Sequence, residues 1–189
     1  MVTEYDRQII KYCKKGFQDL SDDNIRLIYY RKYGFNKQCF NDSCWIIRLE
    51  AYRKLGFKKQ AKKDSNFVIR LEAYRKLGYN TNAFNDQYWI IRMEAYRVLG
   101  FRKKAMKDDY WEIRMEAYKF FGFTKKSIND PHDKIRLEAY RKFNFPRKAL
   151  KDESYQIRYE AYLYRGFNSQ ALKDDNLFIK KAAQYYKEI

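Results

Sequence analysis

The chain of 189 residues has one histidine, two prolines, three cysteines and seven glycines. With His132 alone, no His/Cys cluster for a metal and no triad partner are evident. No phosphate-binding glycine loop is present either. Cys13, Cys39 and Cys44 make an odd number of thiols without a disulfide framework, and the start does not read as a signal peptide. The expectation is a reducing, intracellular setting such as the cytoplasm. No apolar run approaches the length a spanning helix needs, so no membrane insertion is expected. Carboxylates are in short supply too: 24 Asp and Glu against 41 Lys and Arg leave a formal charge of +17.

What is present is ample apolar material, 46% of residues with 19% aromatic, which argues against disorder. The positive charge favours an acidic partner: nucleic acid, an anionic membrane surface or an acidic protein. A plainer account is compositional, because Lys, Asn, Ile, Tyr and Phe are together what AT-rich coding sequence yields.

The chain is organised by repetition. Ile47 to Phe57 reads IRLEAYRKLGF, and close copies begin at Ile69, Ile91, Ile113, Ile135 and Ile157. A looser copy begins at Ile25 and a degraded one at Ile179, and the step between successive isoleucines never varies. A fixed short period marks a solenoid, in which each unit buries its apolar face against its neighbours. Numbering each repeat from its isoleucine as zero, Asp42, Asp64, Asp86, Asp108, Asp130, Asp152 and Asp174 stand at minus five, as expected of helix N-caps. Pro131 follows at the expected first helical position. Glycine closes the helix at plus nine, with Asn144 in its place once, as a left-handed cap requires. The long helix is therefore expected from minus four to plus eight, about 13 residues at 1.5 Å each. A turn or two of helix, 3₁₀ in part, follows from plus eleven to plus sixteen. It carries a small residue in a fixed slot: Cys39, Ala61, Ala83, Ala105, Ser127, Ala149 and Ala171.

At 100° per residue, positions zero, four and eight (Ile69, Ala73, Leu77) make one apolar stripe, and minus two, two and five (Trp89, Met93, Tyr96) a second. Plus three, six and seven are left for water. There Glu50–Lys54, Glu72–Lys76 and Glu138–Lys142 are spaced for ion pairs within a helix. Residues 1–20 depart from the period. Thr3 and Asp6, then Tyr5, Ile9, Ile10 and Cys13 before Gly16, predict a capping helix ahead of an array spanning 21–189, whose last unit (174–189) is truncated. The fold expected is an all-α, right-handed α-solenoid of about eight such units.

Asp130-Pro131-His132-Asp133-Lys134-Ile135-Arg136, followed by Ala139, resembles the HEAT-repeat pattern, and the short unit is similar to leucine-rich-variant α-solenoids. The likeness covers residues 21–189. It implies a hydrogen-bonded ladder between units, using Asp42, Asp64, Asp86, Asp108, Asp130 and Asp152 with Arg48, Arg70, Arg92, Arg114, Arg136 and Arg158. Such scaffolds host many roles, so the likeness says little of function.

Trp45, Trp89 and Trp111 have the chemistry to stack bases, but they share minus two with Phe67, Tyr155 and Leu177 and are expected to pack between repeats. HEAT-like DNA glycosylases use a Trp/Asp pocket. Here caps account for the Asp residues and stripes for the Trp residues, so no enzyme activity, cofactor or small-molecule substrate is expected. His132 is expected to be solvated. The remaining signal is basic. Lys58, Lys59, Lys62 and Lys63; Arg102, Lys103, Lys104 and Lys107; Lys125 and Lys126; and Arg147, Lys148 and Lys151 recur along one edge. Arg53, Arg75, Arg97, Lys119 and Arg141 form a second row at plus six. Such rows suit a phosphate backbone, so nucleic acid, DNA or RNA, is the first expectation. The alternative is a protein-interaction module gripping an acidic protein partner, with Val98, Phe120 and Tyr164 at plus seven as its apolar contacts.

Overall fold

The structure, a computed structural model, describes residues 22–187, and among them there are eight α-helices alternating with 3₁₀ segments, and no strand. The helices are α1 (Asp23–Tyr33), α2 (Trp45–Leu55), α3 (Phe67–Leu77), α4 (Trp89–Leu99), α5 (Trp111–Phe121), α6 (Asp133–Lys142), α7 (Tyr155–Arg165) and α8 (Leu177–Lys187). From α2 on, each packs chiefly on the 3₁₀ segment just before it, the arrangement of an all-α solenoid. The expected capping segment 1–20 lies outside the described residues. The chain forms two compact units, Met1–Leu99 and Gly100–Ile189. The first contains α1–α4 and the second α5–α8.

The small slot is where helix and 3₁₀ segment meet, and Cys39, Ala61, Ala83, Ala105, Ser127, Ala149 and Ala171 are all fully buried. The zero isoleucines from Ile47 to Ile179, alanines such as Ala51 and Ala73 at plus four, and tyrosines such as Tyr52, Tyr96 and Tyr140 at plus five complete the core. Plus eight does not belong to it. Leu55, Leu77, Leu99 and Phe121 are exposed, because the helix has run past its 3₁₀ partner by that turn.

Helices start later than the sequence predicts. They begin at minus two, with the N-cap at minus three: Asp22, Cys44, Asn66, His132 and Ser154. Pro131 is therefore outside α6. The minus-five aspartates end the preceding 3₁₀ segment instead. One oxygen accepts the N–H at minus three, as in Cys44 N to Asp42 Oδ1 at 2.8 Å and Ser154 N to Asp152 Oδ1 at 2.9 Å. Both oxygens also face the plus-one arginine of the preceding repeat. Arg48 donates from Nε and Nη2 to Asp64 at 2.9 and 2.8 Å, and Arg114 does the same to Asp130 at 2.9 and 2.8 Å. Arg26–Asp42, Arg70–Asp86, Arg136–Asp152 and Arg158–Asp174 repeat the pair. The third arm, Nη1, donates to the carbonyls at minus five and minus four of its own repeat, for Arg48 those of Asp42 and Ser43 at 2.7 and 3.0 Å. A planar fork fixed at both ends holds the turn of one repeat to the next.

The closing glycines also differ from expectation. Gly56 has φ 91° and ψ 140°, and Gly122 φ 89° and ψ 145°. The positive φ is as expected, but the extended ψ takes them out of the left-handed helical well, to the border of a region only glycine occupies. Asn144 cannot follow. There the chain leaves α6 through two left-handed residues, Asn144 (φ 55°) and Phe145 (φ 43°), closed by Phe145 N donating to Tyr140 O at 2.8 Å.

Candidate functional site

The two cationic rows meet different fates. At plus six, Arg53 donates from Nε to Glu72 at 3.0 Å, Arg75 to Glu94 at 3.0 Å and Arg141 to Glu160 at 2.9 Å. Arg31, which the sequence-derived row omits, pairs with Glu50 in the same way. Lys119 is held by Glu116 within its own helix. Glu50, Glu72, Glu94 and Glu160, all at plus three, thus turn to an arginine of the preceding repeat; Glu50 and Glu72 do so in place of the expected Lys54 and Lys76, and Glu138 pairs with Arg141 rather than Lys142. Hydrogen bonds from Arg31 outweigh burial and hold Glu50 below the usual carboxylate range, and Arg75 does the same for Glu94. Most of this row already has a carboxylate partner nearby; Arg97 is exposed.

The edge row differs between units. In the first unit, Lys58 sits 5.0 Å over the Phe40 ring, while Lys62 caps the Gly78 carbonyl at 2.6 Å and lies 5.0 Å over Tyr74. Lys59 and Lys63 remain exposed, and the segments on either side are polar but weakly charged (NKQCFN and NTNAFN). In the second unit three successive segments are basic: RKKAMK (102–107), TKKSIN (124–129) and PRKALK (146–151). They contain no carboxylate, and the aspartates that follow, Asp130 and Asp152, are committed to the arginine forks. Lys103, Lys107, Lys125, Lys126, Arg147 and Lys151 are exposed, and among the described residues none of them is in an ion pair. Arg102 and Lys104 are exposed alongside them. Lys148 reaches the Asn129 side chain of the neighbouring segment.

Val98, Phe120 and Tyr164 are exposed as expected, at 63%, 65% and 58%. Within the second unit Phe120 and Tyr164 do not form an unbroken apolar run, because Lys142 stands at plus seven between them. Each lies against the plus-ten ring of the preceding repeat: Phe120 on Phe101 at 5.7 Å between centroids, Tyr164 on Phe145 at 5.6 Å. Tyr186, half exposed and stacked on Phe167 at 4.9 Å, completes the register; the repeat period alone points to it.

Trp45 is partly exposed, while Trp89 and Trp111 are half-buried, Trp111 against His132 of the next repeat. His132 is only partly solvated. It stacks on Trp111 at 4.1 Å, Lys134 lies 4.9 Å from the same indole, and the His132 Nδ1, 3.4 Å from Asp133 Oδ1, makes no hydrogen bond. Open grooves run between the helices of this unit. One of about 690 Å³ is lined by Leu137, Arg141, Tyr155, Tyr159 and Leu163, and one of about 440 Å³ by Trp111, Glu112, Met115 and Lys134. Among the described residues no group of His, Cys, Asp and Glu is placed to hold a metal ion, and no helix is long and apolar enough to cross a membrane. No protein-family model, characterised protein or solved structure matches the chain.

Proposed function

We propose that the chain is a non-enzymatic, HEAT-like scaffold, working inside the cell, that binds nucleic acid through its phosphate backbone. The HEAT-like assignment is supported by the arginine–aspartate forks, which join repeats at the positions the resemblance implies. The binding role is supported chiefly by one observation: three adjacent segments of the second unit present exposed lysines and arginines with no carboxylate among them. Among the described residues Lys103, Lys107, Lys125, Lys126, Arg147 and Lys151 make no ion pair, and unpaired cations gain most from releasing counterions condensed on a phosphate chain. The plus-six row, neutralised by glutamates, is left out of the interface. A protein partner is the second reading, favoured by the exposure of Val98, Phe120 and Tyr164.

The test is fluorescence anisotropy of labelled DNA and RNA across a salt titration. Binding at about 0.15 M salt is expected, with a log–log slope near −0.9 for each phosphate neutralised on a duplex. Changing Lys125 and Lys126 together to alanine should flatten that slope by about 2, whereas Arg53→Ala should leave it unchanged. Binding confined to very low salt, or equal sensitivity at Arg53, would sink the proposal.

A further inference from the structure

The second unit combines its basic edge with exposed rings at a fixed register. Phe120 and Tyr164 stand more than half exposed on the surface, each backed by the plus-ten ring of the preceding repeat. Those backing rings sit at the head of the basic segments: Phe101 is followed directly by Arg102 and Lys103, and Phe145 by Pro146 and Arg147. Phe120 is further braced edge-on by Phe121, at 4.9 Å and 83°. A ring held from behind and bare in front is an unusual use of an aromatic side chain, since it forgoes burial of its outer face. Lys142 occupies the same register between the two, so ring, ammonium and ring follow in order across α5, α6 and α7. In the first unit the same register is Lys32, Lys54, Lys76 and Val98, with no aromatic.

Resting on the phosphate-binding reading above, we infer that the ligand is a single-stranded nucleic acid, whose unpaired bases stack on Phe120 and Tyr164 while its backbone follows the cations of 102–107, 124–129 and 146–151. A duplex keeps its base faces buried in its own stack and has only phosphates to offer this surface. An unpaired strand offers both, and the alternation of braced rings with cations matches both needs. Stacking of this kind is indifferent to base identity, so little sequence preference is expected.

The experiment compares a single-stranded oligothymidylate with a duplex of equal length, binding the full chain at one salt concentration. The single strand should bind at least about 10-fold more tightly, and Phe120→Ala and Tyr164→Ala should each weaken it by about 10-fold while leaving duplex affinity and the salt slope unchanged. Tyr164→Phe should retain binding, since the ring is kept. Both rings are exposed, so circular dichroism of the alanine variants should match the parent. Equal affinity for the two ligands, with no effect of either alanine variant, would overturn the stacking inference and leave phosphate binding standing. Failure of both ligands to bind near 0.15 M salt would overturn both.

Discussion

Arginines at plus one and at plus six both reach a carboxylate of the next repeat, and the consequence of losing each depends on its burial. Arg136 and Asp152 have side chains only 7% and 5% exposed, with the guanidinium also bonded to the carbonyls of Asp130 and Pro131. Arg136→Ala removes the partner of a carboxylate that stays buried, so a loss of about 3 kcal/mol is expected. Arg53 is 53% exposed in its pair with Glu72, and Arg53→Ala should cost well under about 1 kcal/mol. Urea denaturation of the two variants separates these classes; similar losses would mean that burial does not govern them. The sequence marks both arginines by their register. The resemblance to HEAT repeats already implies the partner of Arg136, Asp152 in the next repeat; what the sequence hides is Glu72 as the partner of Arg53. That pairing becomes visible only once repeats are stacked. Reasoning within one helix pairs Glu72 with Lys76, one turn on, and misses Arg53.

Helix limits show the same division between local and non-local chemistry. Termination was legible, because glycine at plus nine reports a backbone angle belonging to that residue alone. Initiation was not. An aspartate before an apolar run reads as an N-cap, but here its carboxylate receives an arginine from the previous repeat, and the helix proper begins beyond the turn that follows it. At Gly122 an added Cβ would meet nothing within 4 Å, so substitution there tests backbone conformation without a packing term. With φ at 89° and ψ at 145°, Gly122→Ala should lower stability by about 1–3 kcal/mol, read as a shift in urea midpoint. An unchanged midpoint would show that the exit from α5 can relax, as the exit from α6 does through Asn144 and Phe145.

Summed over the whole molecule, these pairs set a pH range of stability. Burial alone would raise the carboxyls of Asp64, Asp152 and Asp174; bonds from Arg48, Arg136 and Arg158 and from backbone N–H groups prevail and lower them. A group depressed in the folded state stabilises above its unfolded value, near 3.8, and that contribution is lost as pH falls below it. Tyr30 and Tyr140 act on the opposite side. Burial, with lesser contributions from Cys39 at one and Asp152 at the other, pushes both up to about 12. Their contribution is complete below 10 and fades as pH rises toward 12. The urea midpoint should therefore be flat from about pH 5 to 9.5 and fall on both sides; a maximum confined to neutral pH would contradict it. At this scale the all-α repeat architecture was legible in the sequence, because eight copies at one period leave few alternatives. The contrast between the basic edges of the two units became visible only after the cations already held by glutamates and aspartates had been set aside.

The forks also bear on how such a chain changes length. Every joint within a unit is built from the same two side chains at the same offset. Excising one whole repeat, Asp64 to Asn85, would bring Arg48 opposite Asp86, an equivalent joint. Loss or gain of whole units is thus expected to be tolerated, while a shift of a single position is expected to disengage a fork. Copy number can drift while the joint stays constant.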